Sequence, residues 1–216
     1  MATVNETSLH TLDDLMNRLG HIPLSRIRLR PPLGTATERD VLDIAVREHR
    51  MCELVDGVLV EKAMGYGESI LAIFIARMLG NFVAPQNLGY VTGEQGMMRL
   101  FPGLVRIPDV AFASWNRFPQ RRWTGEPIPD LVPDLAIEVL SESNTPAEMN
   151  IKVGEYFSAG VHLVWLIDPS SRTATVFHSA EHSTKLQERD SLDGGTVLCG
   201  FTLSLGDLFA ELDRHG

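Results

Sequence analysis

At 216 residues, 44% hydrophobic and 22% charged, the chain has an ordinary globular composition and can bury a core without disulfide or metal staples. Nineteen basic against 28 acidic residues, a formal charge of -9, argue against a general polyanion binder but permit a local basic patch or a carboxylate-rich metal site. No apolar run approaches the ~18 residues that span a bilayer, and MATVNETSLH lacks the basic and apolar regions of a secretory signal, so a cytoplasmic protein with no membrane partner is expected.

The elements follow in chain order. TLDDLMNRL, 11–19, reads as a short helix capped by Thr11 and ended by Gly20. Residues 21–34 carry three prolines and SRIRLR, which predicts an extended segment and a loop. A second helix spans 37–49, with Thr37 and Asp40 spaced as a cap and Val41, Leu42, Ala45 and Val46 as its apolar stripe. In CELVDGVLVEK two short strands flank Asp56-Gly57, the dipeptide of a type I′ hairpin. Residues 66–83 form a longer, densely apolar helix. Strands are expected at 88–92, 96–101 and 105–114, with a turn at Gly93–Gly96, then an irregular stretch over 115–133 and a clear strand LAIEVL at 135–140. A helix at 145–159 stops at Gly160, followed by the apolar strand VHLVWLID, 161–168. The strand TATVFH, two short strands near 184–188 and 196–199, and a short helix opened by GDLF complete the chain. The strand–helix–strand unit over 135–168 implies one parallel pair within an otherwise antiparallel sheet, hence an α/β fold with a mixed sheet flanked by helices. Cys52 and Cys199 both sit among apolar neighbours and are expected as buried, reduced core thiols.

Three residues stand out. Glu138 lies inside LAIEVL, on the face opposite Leu135, Ile137 and Val139; it either reaches a salt bridge or solvent, or serves as a functional carboxylate. Asp109 follows Pro108 at the head of VAFAS, where an Asp often simply bonds nearby backbone N–H groups. Lys152 lies about 60° off the inward stripe Met149, Val153, Tyr156 and Gly160 of its helix; it either snorkels to water or turns inward to an anion such as Glu138. Together they suit phosphodiester hydrolysis. Two carboxylates hold one or two hard divalent cations, the cation acidifies a water, and a lysine orients that water and stabilises developing negative charge.

RIPDVAFA, PDLAIEVLSES and NIKVGEYFSAGVHLVWLIDP, with CELVDGVLVE upstream and GFTLSLGDLF downstream, resemble the Uma family of restriction-endonuclease-like proteins, within the PD-(D/E)XK nuclease superfamily. The resemblance covers roughly residues 40–210. It implies a restriction-endonuclease-like domain over 37–216, with an N-terminal helix and extended segment over 1–36 packing on it. Asp109 and Glu138 become the motif acids. The lysine of a plain (D/E)XK tripeptide would fall at Leu140; the resemblance implies instead a lysine migrated to the next helix, Lys152. Glu68, in the first turn of the 66–83 helix, matches the helical Glu of the superfamily pattern.

The resulting expectation is an endonuclease that hydrolyses DNA with Mg²⁺, or Mn²⁺ in its place. Asp109, Glu138 and the Val139 carbonyl hold the metal, Lys152 positions water, and Tyr156 either supports the site or fills the core. A homodimer follows by analogy, since cutting two strands often uses two sites. The rival reading is a catalytically silent binding protein that keeps the fold. For DNA, SWNRFPQRRWTGEP offers Arg117, Arg121, Arg122 and Trp123, although such a loop also packs readily on its own domain or on a second subunit. Arg26, Arg28 and Arg30 alternate along SRIRLR as a second candidate basic edge. His178–His182 matches H-x-x-E-H, but its flanks read as strands, which predicts a hairpin tip rather than a zinc peptidase helix.

Overall fold

The computed structural model describes residues 11–62 and 65–215; the N-terminal ten residues, on which the reading of the leader rested, lie outside them. Helix α1 (Leu12–Arg18) is closed by a Thr11/Asp14 capping box, and α2 (Glu38–Glu48) by one between Thr37 and Asp40. Strands β1 (Cys52–Val55) and β2 (Val58–Glu61) meet at Asp56 and Gly57, whose φ values of 48° and 76° are those of the I′ turn. Next come α3 (Tyr66–Val83), β3 (Gly89–Thr92), β4 (Met98–Phe101), β5 (Leu104–Arg106) and β6 (Val110–Ser114). Then follow β7 (Leu135–Val139), α4 (Pro146–Ala159), β8 (Leu163–Asp168), β9 (Thr173–Phe177) and β10 (Ser183–Gln187). The hairpin β11 (Ser191–Asp193) and β12 (Thr202–Ser204) leads into α5 (Leu205–Ala210).

Six strands pair in the order β10-β9-β8-β7-β6-β3, with β7 and β8 parallel and the other neighbours antiparallel. A separate four-stranded antiparallel sheet has the order β2-β1-β5-β4. The run 105–114, expected as one strand, is two, in different sheets. Pro108, which has no N–H to offer a ladder, falls at the break, so Ile107-Pro108-Asp109 carries the chain from one sheet to the other. Likewise the strand expected near 196–199 is a turn, and the pairing falls to β11 and β12 on either side.

Side-chain alternation sorts the three larger cores among the described residues. Leu135, Ile137 and Val139 of β7 face α3, α5 and the β11–β12 hairpin. Ala136 faces α4 and α1, together with Val55, Val58 and Val60 of the smaller sheet. The outer face of that sheet, including Cys52, Leu54 and Val105, packs on α2. By length and composition α3 would pass for a membrane-crossing helix, contrary to the hydropathy reading; Leu71, Ile75, Leu79 and Val83 instead form the stripe it buries against the six-stranded sheet. Gly20, at φ 70°, brings the end of α1 so close to α4 that a Cβ there would lie 2.3 Å from the Glu148 nitrogen.

The expectation of two buried thiols is half right. Cys52 is buried, but Cys199 is exposed in the turn beside Gly200. Burial, the largest influence on it, pushes the Cys52 thiol up to about 11. In the folded protein at neutral pH a thiol reagent is therefore expected to modify Cys199 alone, with Cys52 reacting only on unfolding. Mass spectrometry of the labelled peptides reads this, and fast native labelling of Cys52 would contradict its position.

Candidate active site

The alternation that packs the cores also aims charged residues inward. On β1, Cys52 and Leu54 face α2, so Glu53 and Val55 face the space between the two sheets. On β5, Leu104 and Arg106 share that inner face. After β2, Lys62 continues the parity of Val58 and Val60. Glu138 enters the same space from β7 and Lys152 from α4, while Asp109 sits at the crossover between sheets. Glu53, Arg106, Asp109, Glu138 and Lys152 are all buried. Ions removed from water to this degree persist only when paired and hydrogen-bonded.

The pairing is dense. The Lys152 ammonium donates to Glu53 Oε1 at 3.0 Å and to Glu138 Oε1 at 3.3 Å. The Tyr156 hydroxyl donates to the same Glu138 oxygen at 2.6 Å. Arg106 donates to Glu53 Oε2 at 2.7 Å and to Glu155 Oε2, and the Ile107 N–H donates to Glu53 Oε1 at 3.2 Å. Asp109 Oδ2 accepts the Val139 N–H at 2.6 Å, which ties the crossover to the end of β7. Its Oδ1 lies 2.7 Å from the Lys62 ammonium, which also donates to the Ile107 carbonyl.

These contacts set the protonation states. Burial works against the Glu53 carboxylate, yet Lys152, Arg106 and Lys62 together hold its pKa below the usual range. Burial likewise works against the Lys152 ammonium, but Glu138 and Glu53 overcome it and keep the amine charged. Burial raises Glu138, with Asp109 and Glu53 adding to the rise against the pull of Lys152 and Lys62. Burial and the same two glutamates push the Tyr156 phenol well above its ordinary value, so it remains a donor. A lysine held charged is suited to orienting water and stabilising an anion, not to taking a proton.

The residues suit a hard cation in their chemistry. The buried Asp109 Oδ1 has the Lys62 ammonium at 2.7 Å as its partner, which a cation would replace, and no described residue donates to Glu138 Oε2. The two acids meet at the end of β7, where Asp109 Oδ2 accepts the N–H of Val139, the residue after Glu138. Carboxylate oxygens are what Mg²⁺ and Mn²⁺ prefer. Among the described residues no three His, Cys, Asp or Glu side chains form a ready-made cage, so the protein's share of such a site would be two carboxylates and backbone oxygen, with water completing it. An open cleft of about 430 Å³, lined by Arg50, Lys62, Tyr66, Ser69 and Gln95 among others, gives solvent access at Lys62.

The structure brings Asp109, Glu138, Lys152 and Tyr156 together and adds Glu53, Arg106 and Lys62, which the sequence reading did not single out. The signal for Glu53 was present: a lone acid among apolar residues in a strand, the pattern that marked Glu138. Glu68 lies in the first turn of α3 with its carboxylate over Gly65, and makes no hydrogen bond or ion pair with a described residue. Arg117 bonds Asp134 and the Gly160 carbonyl, whereas Arg121, Arg122 and Trp123 are exposed. Arg26 and Arg28 do not form a basic edge, because Arg26 is buried in a two-pronged bond to Glu148 and Arg28 reaches Glu48 and Glu61. His178–His182 is the tip of the β9–β10 hairpin, closed by a His178 N–H bond to the His182 carbonyl.

The profile of a family described as "Uma2: Putative restriction endonuclease" matches residues 39–206. The chain belongs to the Uma2 family. A solved structure described as "a putative nuclease belonging to DUF820", from Anabaena variabilis ATCC 29413, superposes with a TM-score of 0.65 at 22% identity, covering 75% of this chain and 91% of that one. That similarity supports the nuclease-like fold. No curated protein matches the chain. In this Uma2 protein the matched residues include every member of the buried cluster.

Glu53→Ala would leave Lys152 and Arg106 short of a buried partner, and is expected to destabilise the fold by about 3–5 kcal/mol. Asp43→Ala, which removes an exposed helical pair with Arg47, should change stability by about 0.5 kcal/mol or less. Urea denaturation measures both, and similar small changes would contradict the role of Glu53.

Proposed function

We propose that this Uma2 protein is a metal-dependent endonuclease that hydrolyses DNA phosphodiester bonds. The observation that carries the reading is the Asp109/Glu138 pair with a charged, buried Lys152 on Glu138, within a family described as "Putative restriction endonuclease". Asp109 and Glu138, with the Val139 carbonyl, would hold Mg²⁺ or Mn²⁺, which when bound acidifies a water and neutralises charge on the phosphate. Lys152 orients the attacking water and stabilises the negative charge that develops on the phosphorus centre. Tyr156 and Glu53 fix Lys152 and Glu138 by the bonds described above, so that little reorganisation is needed during reaction. Glu53 stands outside the cation's ligand set, as the acid that holds Lys152 and Arg106 in place. The Lys62 cleft is the natural approach for a phosphate, and Arg121, Arg122 and Trp123 are the surface groups suited to holding the strand. Free thiols agree with a cytoplasmic setting, and a homodimer would pair two such centres on opposite strands.

A second reading, a catalytically silent binding protein of the same fold, draws on one observation. The Lys62 ammonium already neutralises Asp109 Oδ1 at 2.7 Å, so a cation at that oxygen has to displace it.

Plasmid cleavage separates the two. Wild type with Mg²⁺ or Mn²⁺ should nick or linearise DNA; Glu138→Gln should abolish this, and Lys152→Met should lower the rate by about 10²–10³-fold. Circular dichroism confirms that the variants fold. Equal cleavage by all three proteins would point to a contaminant or another centre, and no cleavage by folded wild type would favour the silent reading.

A further inference from the structure

A second concave surface lies beside the cleft. Between β3, β4 and the segment 118–131 runs a groove of about 470 Å³, within the ~300–1,000 Å³ of sites that take small molecules. Its walls are mainly apolar, with Tyr90, Met97, Met98, Phe118 and Trp123 among them. Tyr90 is held edge-on by Trp115 and Phe118, at centroid distances of 4.8 and 5.5 Å, yet remains 43% exposed. Trp123 is 48% exposed and pairs with no other described aromatic ring. Aromatic rings fixed in place with open faces form stacking platforms.

Three observations indicate the occupant. Gln95 lines both this groove and the Lys62 cleft, so the two adjoin, and Lys62 in that cleft is the partner of Asp109. Immediately before Trp123, the exposed Arg121 and Arg122 side chains make no ion pair with a described residue, whereas Arg26, Arg28, Arg106 and Arg117 are all committed to carboxylates. The Thr92 hydroxyl, on a groove-lining residue, is buried without a hydrogen-bond partner. Free guanidinium groups beside exposed aromatic rings match a flexible polyanion that carries flat, polar-edged rings.

We propose that the groove takes an unpaired nucleobase, stacked on Tyr90 and Trp123, with the flanking phosphates on Arg121 and Arg122. The inference rests on the nuclease reading of the cleft and deepens it: the protein prefers single-stranded or locally unpaired substrate, because a paired base must first leave its stack to enter.

Fluorescence anisotropy of wild type in EDTA, without hydrolysis, tests this with a labelled single-stranded DNA, its blunt duplex, and RNA of the same sequence. The single strand should bind about tenfold tighter than the duplex, and Trp123→Ala or Tyr90→Ala should each erase that preference. Arg121→Gln with Arg122→Gln should weaken both and flatten the salt dependence. RNA binding equal to that of single-stranded DNA supports stacking as the source, whereas RNA bound no better than duplex overturns it. Equal affinity of wild type for single strand and duplex overturns the proposal, as does an unchanged preference in Trp123→Ala. Sedimentation showing a dimer that forms without oligonucleotide and is lost in Trp123→Ala would assign the groove to a second copy and overturn it too. The two readings fail separately. Strand preference without plasmid cleavage removes only the nuclease reading; cleavage with an unaltered preference in Trp123→Ala removes only this one.

Discussion

The ion pairs of Lys152 with Glu53 and Glu138 are the constraint on which the architecture rests. Each group alone would be driven out of the interior or forced to its neutral form; together they remain ionised or hydrogen-bonded where apolar side chains would otherwise pack. The partners come from β1 in one sheet, β7 in the other and α4 between them, so the network exists only when both sheets and the helix are in register. Arg106 and Lys62 extend it through β5 and the end of β2. The same helix is anchored at its N-terminus by Arg26 on Glu148, and farther along by the Arg18 bond to Glu155. The N-terminal segment thus helps to hold Lys152 in place without touching it.

The same pairing bears on how the formal charge of -9 is distributed. Several acids are not on the surface: Glu53, Asp109, Asp134, Glu138 and Glu148 are buried and matched by internal cations. Each of these acids cancels a paired cation, so the remaining side chains still carry the excess of negative charge, and a nucleic-acid partner has to rest on a local cluster of arginines. Of the arginine groups considered for binding, one is mostly absorbed internally and the other leaves Arg121 and Arg122 without an ion pair to any described residue.

What could be read from the sequence was what depends on neighbours along the chain. Strand parity aimed Glu138 away from Ile137, helical spacing placed Lys152 beside the buried stripe, and Asp56-Gly57 set the hairpin. Glu53, Arg106 and Lys62 act across separations of 99, 53 and 47 residues from Lys152, Glu53 and Asp109 respectively, and their meeting follows from sheet pairing that no local pattern encodes. The break of 105–114 into two strands was masked because both halves carry the same apolar signature; Pro108 was the local clue. Cys199 misled because apolar neighbours in sequence, Val197 and Leu198, turn inward while the thiol does not.

The central claim is that Asp109 and Glu138 form one binding centre for a hard divalent cation. Titration of Mn²⁺ into the folded protein by isothermal calorimetry tests it without recourse to activity. The account predicts a saturable site whose affinity falls at least about tenfold in Asp109→Asn and in Glu138→Gln alike. Affinity unchanged in both variants, or no binding to folded wild type, would contradict it.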